Sequence, residues 1–205
     1  VCRFPSNAMK AVAIVPAAGL GVRMGLEQRK PLLELDGVAV LIRTLRQLAA
    51  CARIGQMFVA VRKEDFAAAE AALAAAPYRA RVTLLEGGDY RQESVAAGLA
   101  RVPADTDMVV VHDAVRPFVE PALVEKVIDA AAASGAAIAA LPVTDTVKQI
   151  DRTRITATLP RERIVLAQTP QAFRYNLLKE AFAQAEADGY HGSDESVLVE
   201  RLGHE

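Results

Sequence analysis

The chain is 205 residues long and 52% hydrophobic, with a formal net charge of -1 at pH 7. That length and apolar content suit one globular domain with a sizeable core, and the near-neutral charge excludes a broad basic surface for nucleic acid or anionic lipid. Two cysteines, Cys2 and Cys51, do not make a disulfide framework, which fits a reducing compartment and points to the cytoplasm.

Ser6-Asn7-Ala8 ahead of Met9 reads as the leftover of an expression tag, so residues 1–8 are set aside and the domain is taken as 9–205. No apolar run reaches the length of a membrane-spanning helix, and none reads as a signal peptide. Ala11 to Val15 is a short apolar run of the kind that forms a fully buried strand. It breaks at Pro16 into Ala17, Ala18, Gly19, Gly21 and Gly25, with Arg23 and Lys30 just beyond. Small residues let backbone N–H groups approach an anion closely, and long cations there suit phosphate oxygens. The spacing is neither a dinucleotide fingerprint, because the sixth position from Gly19 is Met24, nor a Walker A loop, because Gly-Lys-Ser/Thr is absent.

Leu32 to Leu35 is a second apolar run closed by Asp36-Gly37. Helical spacing of Val40, Leu41, Leu45 and Leu48 predicts a helix to about Cys51, a buried thiol. Gln56 to Val61 predicts a strand, Glu64 to Ala76 a helix stopped by Pro77, and Val82 to Leu85 a strand ending at Gly87-Gly88-Asp89. Glu93 to Arg101 predicts a helix, which Ser94 can cap, and Met108 to Val111 a buried strand. Pro121 to Ala133 predicts a helix between an early Pro and Gly135, followed by a buried strand from Ala136 to Leu141.

Strands alternating with helices in this way predict an α/β domain with a mainly parallel sheet, whose ligands bind outside the carboxyl ends of the strands. The loops that follow the first, third and fourth strands of that sheet hold the unusual polar residues: Ala17-Ala18-Gly19, then Gly87 to Ser94, then His112 to Pro117. After Pro142 the pattern changes. Residues 143–159 mix β-branched residues with charges around Asp151-Arg152-Thr153, which predicts a two-stranded arm. Ile164 to Gln168 and Thr169-Pro170-Gln171 follow, without an assigned element. A helix is expected over Tyr175 to Ala187, and a short one over Asp194 to Leu202, with Ser193 as its cap.

Asp113, just past an apolar strand, is placed to hold Mg2+, which takes oxygen ligands from one or two carboxylates and from substrate phosphates. The plainer alternative is that Asp113 closes a turn through Arg116. Arg91 reads as a surface residue beside its loop, and Lys148 and Arg161 as charges of the arm.

Five segments in order, P-A-A-G-L-G-V-R-M, G-G-D-Y-R-Q-E-S-V, V-H-D-A-V-R-P, V-T-D-T-V-K and T-P-Q-A-F, resemble the 2-C-methyl-D-erythritol 4-phosphate cytidylyltransferases of non-mevalonate isoprenoid synthesis. The resemblance runs from Lys10 to Leu202. It implies a Rossmann-like nucleotidyltransferase sheet with a protruding arm over about 143–160. It also implies that Arg23 and Lys30 meet the triphosphate of CTP, and that Ala17, Ala18, Gly19, Gly21, Gly88, Asp89 and Ser94 line the nucleotide pocket. Asp113 would position Mg2+, Arg116 would stand by the second substrate, and Thr146, Arg161 and Thr169 would grip methylerythritol phosphate. In the family the arm clasps a second subunit, so a homodimer is implied, with Thr146 and Arg161 serving the neighbouring site. Where the family reads Pro-Lys-Gln, this chain has Arg29-Lys30-Pro31, and Lys30 is aligned by its distance from Arg23. A late family segment with an Asp and an Ile-Lys-Val/Ile-Thr motif has no counterpart before Glu205 and is expected to be missing from the chain. Two alternatives stay open: a cytidylyltransferase for another polyol phosphate such as ribitol 5-phosphate, and a nucleotide-binding protein without catalysis.

Overall fold

A computed structural model of the chain describes residues 9–19 and 30–204. Its centre is a six-stranded sheet. The strands in chain order are β1 (Ala11–Pro16), β4 (Ile54–Val61), β5 (Val82–Glu86), β6 (Met108–Val111), β7 (Ala136–Pro142) and β10 (Val165–Arg174). A small ladder, β2 (Glu34–Leu35) with β3 (Val38–Ala39), and the arm, β8 (Val147–Asp151) with β9 (Arg154–Leu159), make two further sheets. In space the central order is β5-β4-β1-β6-β10-β7; β5, β4, β1 and β6 pair in parallel, and β10 runs antiparallel to both of its neighbours.

Both faces of the sheet are covered, which is why its central strands read as unbroken apolar runs. Ala11, Ala13 and Val15 of β1, with Met108 and Val110 of β6, face one core, which contains Leu41, Leu45 and Leu48 of helix α1 (Val40–Ala50) and Val124 and Ile128 of helix α4 (Pro121–Ser134). Leu73 of α2 (Phe66–Leu73) joins it. Val12, Ile14, Val109 and Val111 face the opposite core, built from Val95 and Leu99 of α3 (Arg91–Leu99), Leu178 and Phe182 of α5 (Tyr175–Ala187), and Leu198 of α6 (Glu195–Arg201). The period-two alternation of a strand thus feeds two cores at once. Cys51 is a buried free thiol at the end of α1.

Four expectations need correcting. The segment from Ala136 to Leu141 is a strand, but not a buried one: β7 is the outer strand beyond β10, and its last three residues are exposed. Val165–Arg174, unassigned from sequence, is a ten-residue strand whose pairing with β7 shifts register between Ala167 and Gln171, across the Gln168-Thr169-Pro170 interruption. The cap of α6 is Asp194, not Ser193; the Asp194 carboxylate accepts from the Val197 N–H at 3.2 Å, a charged acceptor at the positive end of the helix. Ser94 lies inside α3 and does not cap it.

Gly98 sets how close α3 comes to the sheet. A Cβ there would stand 2.5 Å from Cγ2 of Ile14, which is fully buried in β1 and has nowhere to move. An exposed helix gains about 1 kcal/mol from Gly→Ala, but overpacking a closed core costs about 1–3 kcal/mol. Gly98→Ala is therefore expected to lower stability by about 1–2 kcal/mol, and a rise in the thermal midpoint would show that the packing is looser than this.

Candidate active site

The carboxyl ends of β1, β4, β5 and β6 come to one edge of the sheet, and hydrogen bonds just beyond the strands hold their loops level. Ala17 N donates to Ala60 O at 2.7 Å, Gly87 N to Val61 O at 2.9 Å, and His112 N to Ile14 O at 3.1 Å. The first and third loops touch. A Cβ on Gly87 would lie 2.6 Å from Cβ of Ala18 and 2.7 Å from Oγ of Ser94. Only a residue without a side chain lets the backbone after β5 press against the loop after β1. The stretches that hold Ala17, Ala18 and Gly19 and Gly88, Asp89 and Ser94 therefore run side by side, in contact through Ala18, Gly87 and Ser94. Arg62, at the end of β4, ties this group: its Nε donates to Ala18 O at 2.8 Å, and its Nη2 lies 3.7 Å from the exposed Asp89 carboxylate. The N–H of Ala17 and the carbonyl of Ala18 are thus engaged by the protein itself.

The fourth loop carries Asp113. Arg91 Nε donates to its Oδ1 at 3.1 Å and Arg116 Nε to its Oδ2 at 2.9 Å. Burial alone would raise this carboxyl; Arg91 and Arg116 outweigh burial and hold it below the ordinary carboxylate range. Arg91 also spans to Glu195, both of whose oxygens accept from Nη1, at 2.7 and 2.9 Å. Burial pushes the Glu195 carboxyl upward against the pull of that guanidinium. Arg116 Nη1 donates to Gln168 Oε1. Thr169 Oγ1 accepts from Asp113 N at 3.1 Å, two residues past the Gln171–Val111 pair of the β10–β6 ladder. Antiparallel register thus delivers Thr169 to Asp113. Thr44 of α1 donates to Ala114 O at 2.8 Å and pins the same loop from below.

Arg116 and Thr169 therefore join Asp113, while Thr146 and Arg161 do not. Both are exposed at the arm, where Arg161 Nη1 donates to Thr144 O at 2.7 Å, and no hydrogen bond or ion pair among the described residues links them to the Asp113 cluster. Gly21, Arg23 and the side chain of Lys30 lie outside the described residues. Sequence reasoning passed over Arg62, Gln168 and Glu195, and placed Arg91 at the surface. Glu195 lies 104 residues from Arg91, so no local spacing could reveal the pair. A cavity of about 590 Å³ lies elsewhere, between α3 and α5, walled by Leu99, Tyr175, Phe182 and Tyr190. It meets α3 on a different face from Ser94, and it lacks the converging guanidinium groups of the strand-end loops.

His112 is fully buried, and its Nε2 is 3.1 Å from Arg116 O. Burial lowers its pKa from the usual 6.5, and the Arg116 carbonyl, which favours a ring N–H, only partly opposes this. Burial thus favours the neutral ring, whose Nε2 is spent on holding the loop. Because the folded value is depressed, the unfolded chain binds the extra proton first: the stability contributed is full above the unfolded pKa and is lost as pH falls through the folded one. In an NMR titration the His112 ring is expected to be less than half protonated at pH 6.5, where an ordinary imidazole is half-protonated. A midpoint at or above 6.5 would contradict this.

Known proteins resemble the chain in both sequence and fold. Residues 11–205 match the family described as IspD: 2-C-methyl-D-erythritol 4-phosphate cytidylyltransferase. A 2-C-methyl-D-erythritol 4-phosphate cytidylyltransferase from Acidobacterium capsulatum is 51% identical over 205 residues, spanning 95% of this chain and 86% of the relative. The crystal structure of 4-diphosphocytidyl-2C-methyl-D-erythritol synthase from Anaerococcus prevotii superposes with a TM-score of 0.85 at 30% identity, covering 96% of this chain and 84% of that one. That of the cytidylyltransferase from Thermus thermophilus gives 0.76 at 35% identity, covering 96% and 86%. Sequence and fold lead to one conclusion: the chain belongs to the 2-C-methyl-D-erythritol 4-phosphate cytidylyltransferase family.

Proposed function

We propose that this chain transfers the cytidylyl group of CTP to 2-C-methyl-D-erythritol 4-phosphate, at the edge where its strand-end loops meet. The observation that carries the reading is the convergence, in a member of this family, of the small-residue loop after β1, the Gly87–Ser94 loop and the Asp113–Arg116 loop with Thr169. A phosphate oxygen of the acceptor attacks the α-phosphorus of CTP. The bond from that phosphorus to the bridging oxygen breaks, and pyrophosphate leaves. A phosphate monoester has its second pKa near ~6 and is largely ionised at neutral pH, so the nucleophile needs no general base. His112, buried and engaged with the Arg116 carbonyl, accords with that.

The difficulty is bringing two polyanions together, and fixed positive charge is the remedy. Among the described residues of the cluster, Arg62, Arg91 and Arg116 are balanced by Asp89, Asp113 and Glu195. The surplus that a triphosphate requires then falls to residues 20–30, which carry Arg23, Arg29 and Lys30 against Glu27. Arg23 and Lys30 are assigned to the triphosphate on that ground and on the family motif. The pocket for the nucleoside is assigned to Ala17, Ala18, Gly19, Gly21, Gly88, Asp89 and Ser94, and the acceptor to Arg116 and Thr169.

Mg2+ fits this site on narrow terms. Asp113 offers a hard carboxylate that keeps acceptor positions beyond its two guanidinium bonds. No group of three or more metal-binding side chains stands together among the described residues, so the other ligands would be phosphate oxygens and water. When bound, the ion would neutralise phosphate charge. Asp113→Asn keeps the shape and weakens the hold on both arginines and on the ion. It is expected to lower kcat by about 10²-fold, on the scale of a lost transition-state contact; a pyrophosphate-release assay reads this, and unchanged turnover would remove Asp113 from the mechanism. The same assay with ribitol 5-phosphate decides the acceptor, since equal or better turnover of that ester would displace methylerythritol phosphate.

A dimer through the arm is part of the reading. Leu141, Ile150, Ile155, Val165 and Leu166 are each more than half exposed. They form two groups: Leu141 pairs with Leu166, beside Val165, where β7 and β10 meet, and Ile150 pairs with Ile155 in the arm. A two-stranded ribbon is marginal alone in water, and an apolar patch on it calls for a partner. Thr146 and Arg161, apart from their own Asp113, would then meet the partner's site. Ile155→Asp is expected to give monomers by analytical ultracentrifugation and to lose most activity; a fully active monomer would overturn the shared site. No helix among the described residues is long and apolar enough to cross a membrane, and the buried free thiol of Cys51 supports a cytoplasmic location.

A further inference from the structure

Glu195 is 1% exposed and opens the seven-residue helix α6. An unpaired charge buried to this degree is costly, and a buried ion pair is often no more stabilising than apolar packing. The pair is therefore better explained by what it holds in place than by the stability it adds. Both oxygens of Glu195 take one Arg91 nitrogen, Nη1, and the Nε of the same guanidinium is directed at Asp113. The rotation of an aspartate carboxylate about χ2 is soft. Here Arg91 takes Oδ1 while Arg116 takes Oδ2, so the carboxylate plane is fixed and its remaining lone pairs point in set directions.

We infer that Arg91 and Glu195 are positioning residues for the transfer, Glu195 fixing the Arg91 fork and Arg91 fixing the plane of Asp113. The inference rests on the cytidylyl-transfer reading above. It adds a link between three stretches far apart in sequence. Arg91 begins α3, directly after the Gly88-Asp89 loop assigned to the nucleotide; Asp113 follows β6; Glu195 begins α6. Asp194, the neighbour of Glu195, is itself fixed by accepting from Gln171 Nε2 at 2.8 Å. Gln171 pairs with Val111 in the ladder that brings Thr169 to Asp113. The nucleotide side and the acceptor side of the site thus share one rigid frame.

The test is a double-mutant cycle on the full chain. Pyrophosphate release from CTP with methylerythritol phosphate is measured for wild type, Glu195→Gln, Arg91→Lys, Asp113→Asn and Arg91→Lys with Asp113→Asn. Glu195→Gln keeps the shape and loses the charge, and Arg91→Lys keeps the charge and loses the fork. Each single change is expected to lower kcat by about 10–100-fold, the range for residues that orient a reacting group's ligand, with KM for CTP moving less than about threefold. In the Asp113→Asn background, Arg91→Lys is expected to cost less than about threefold, because it acts through a carboxylate already removed. Losses that multiply in the double variant, or a kcat for Arg91→Lys within about threefold of wild type, would overturn the inference. A residue that only supported folding would lower the melting temperature and leave the losses multiplicative. Should Glu195→Gln fail to fold, Arg91→Lys, which keeps a cation between both carboxylates, decides alone. A wild-type chain that releases no pyrophosphate would fell the functional reading and this inference together, whereas an active wild type with multiplicative losses fells this inference only.

Discussion

The site depends on one constraint: a carboxylate at the end of a buried strand, held from two sides by guanidinium groups. Asp113 is partly buried where it sits, and Arg91 and Arg116, which face it, favour its charged form against that burial. Each arginine is in turn held by something further out, Arg91 by Glu195 and Arg116 by Gln168. The elements that carry these outer groups, α6 and β10, are late in the chain. The chemistry of the first half of the sequence is therefore finished by contacts that only the completed fold supplies.

The sheet explains how so few polar residues can be placed so closely. Parallel strands must end in loops on the same edge, and the hydrogen bonds that run past β1, β4, β5 and β6 keep those loops at one level. Packing then decides spacing. Gly87 allows the loop after β5 to lie on Ala18, and Gly98 lets α3 settle on Ile14. Arg91, Ser94 and Gly98 are successive turns of that one helix, so the depth at which α3 rests on the sheet also sets where Arg91 meets Asp113.

Much of this is legible in the sequence, for identifiable reasons. β1, β6 and the Met57 to Val61 part of β4 announce themselves because strand segments buried on both faces are apolar throughout. The glycine-rich loops and Asp113 stand out because they interrupt such runs. β10 escapes because Gln168-Thr169-Pro170-Gln171 splits its apolar residues, although those polar side chains are what the site uses: Gln168 holds Arg116 and Thr169 meets Asp113. The exposure of β7 is hidden because an alanine run gives no sign of lying at a sheet's border. Glu195 beside Asp194 reads as the solvated start of a helix, and only a partner 104 residues away makes it an interior charge.

The arm's attachment has a mechanical consequence. Its two strands leave from β7 and return into β10, which are neighbours bonded to each other in the main sheet. Sliding the ribbon along its axis would mean shearing that ladder, so it projects as a stiff finger of about 17–20 Å at ordinary strand rise rather than as a tether. A finger of fixed reach admits only a narrow set of docking geometries, and distance itself becomes a means of choosing what it touches.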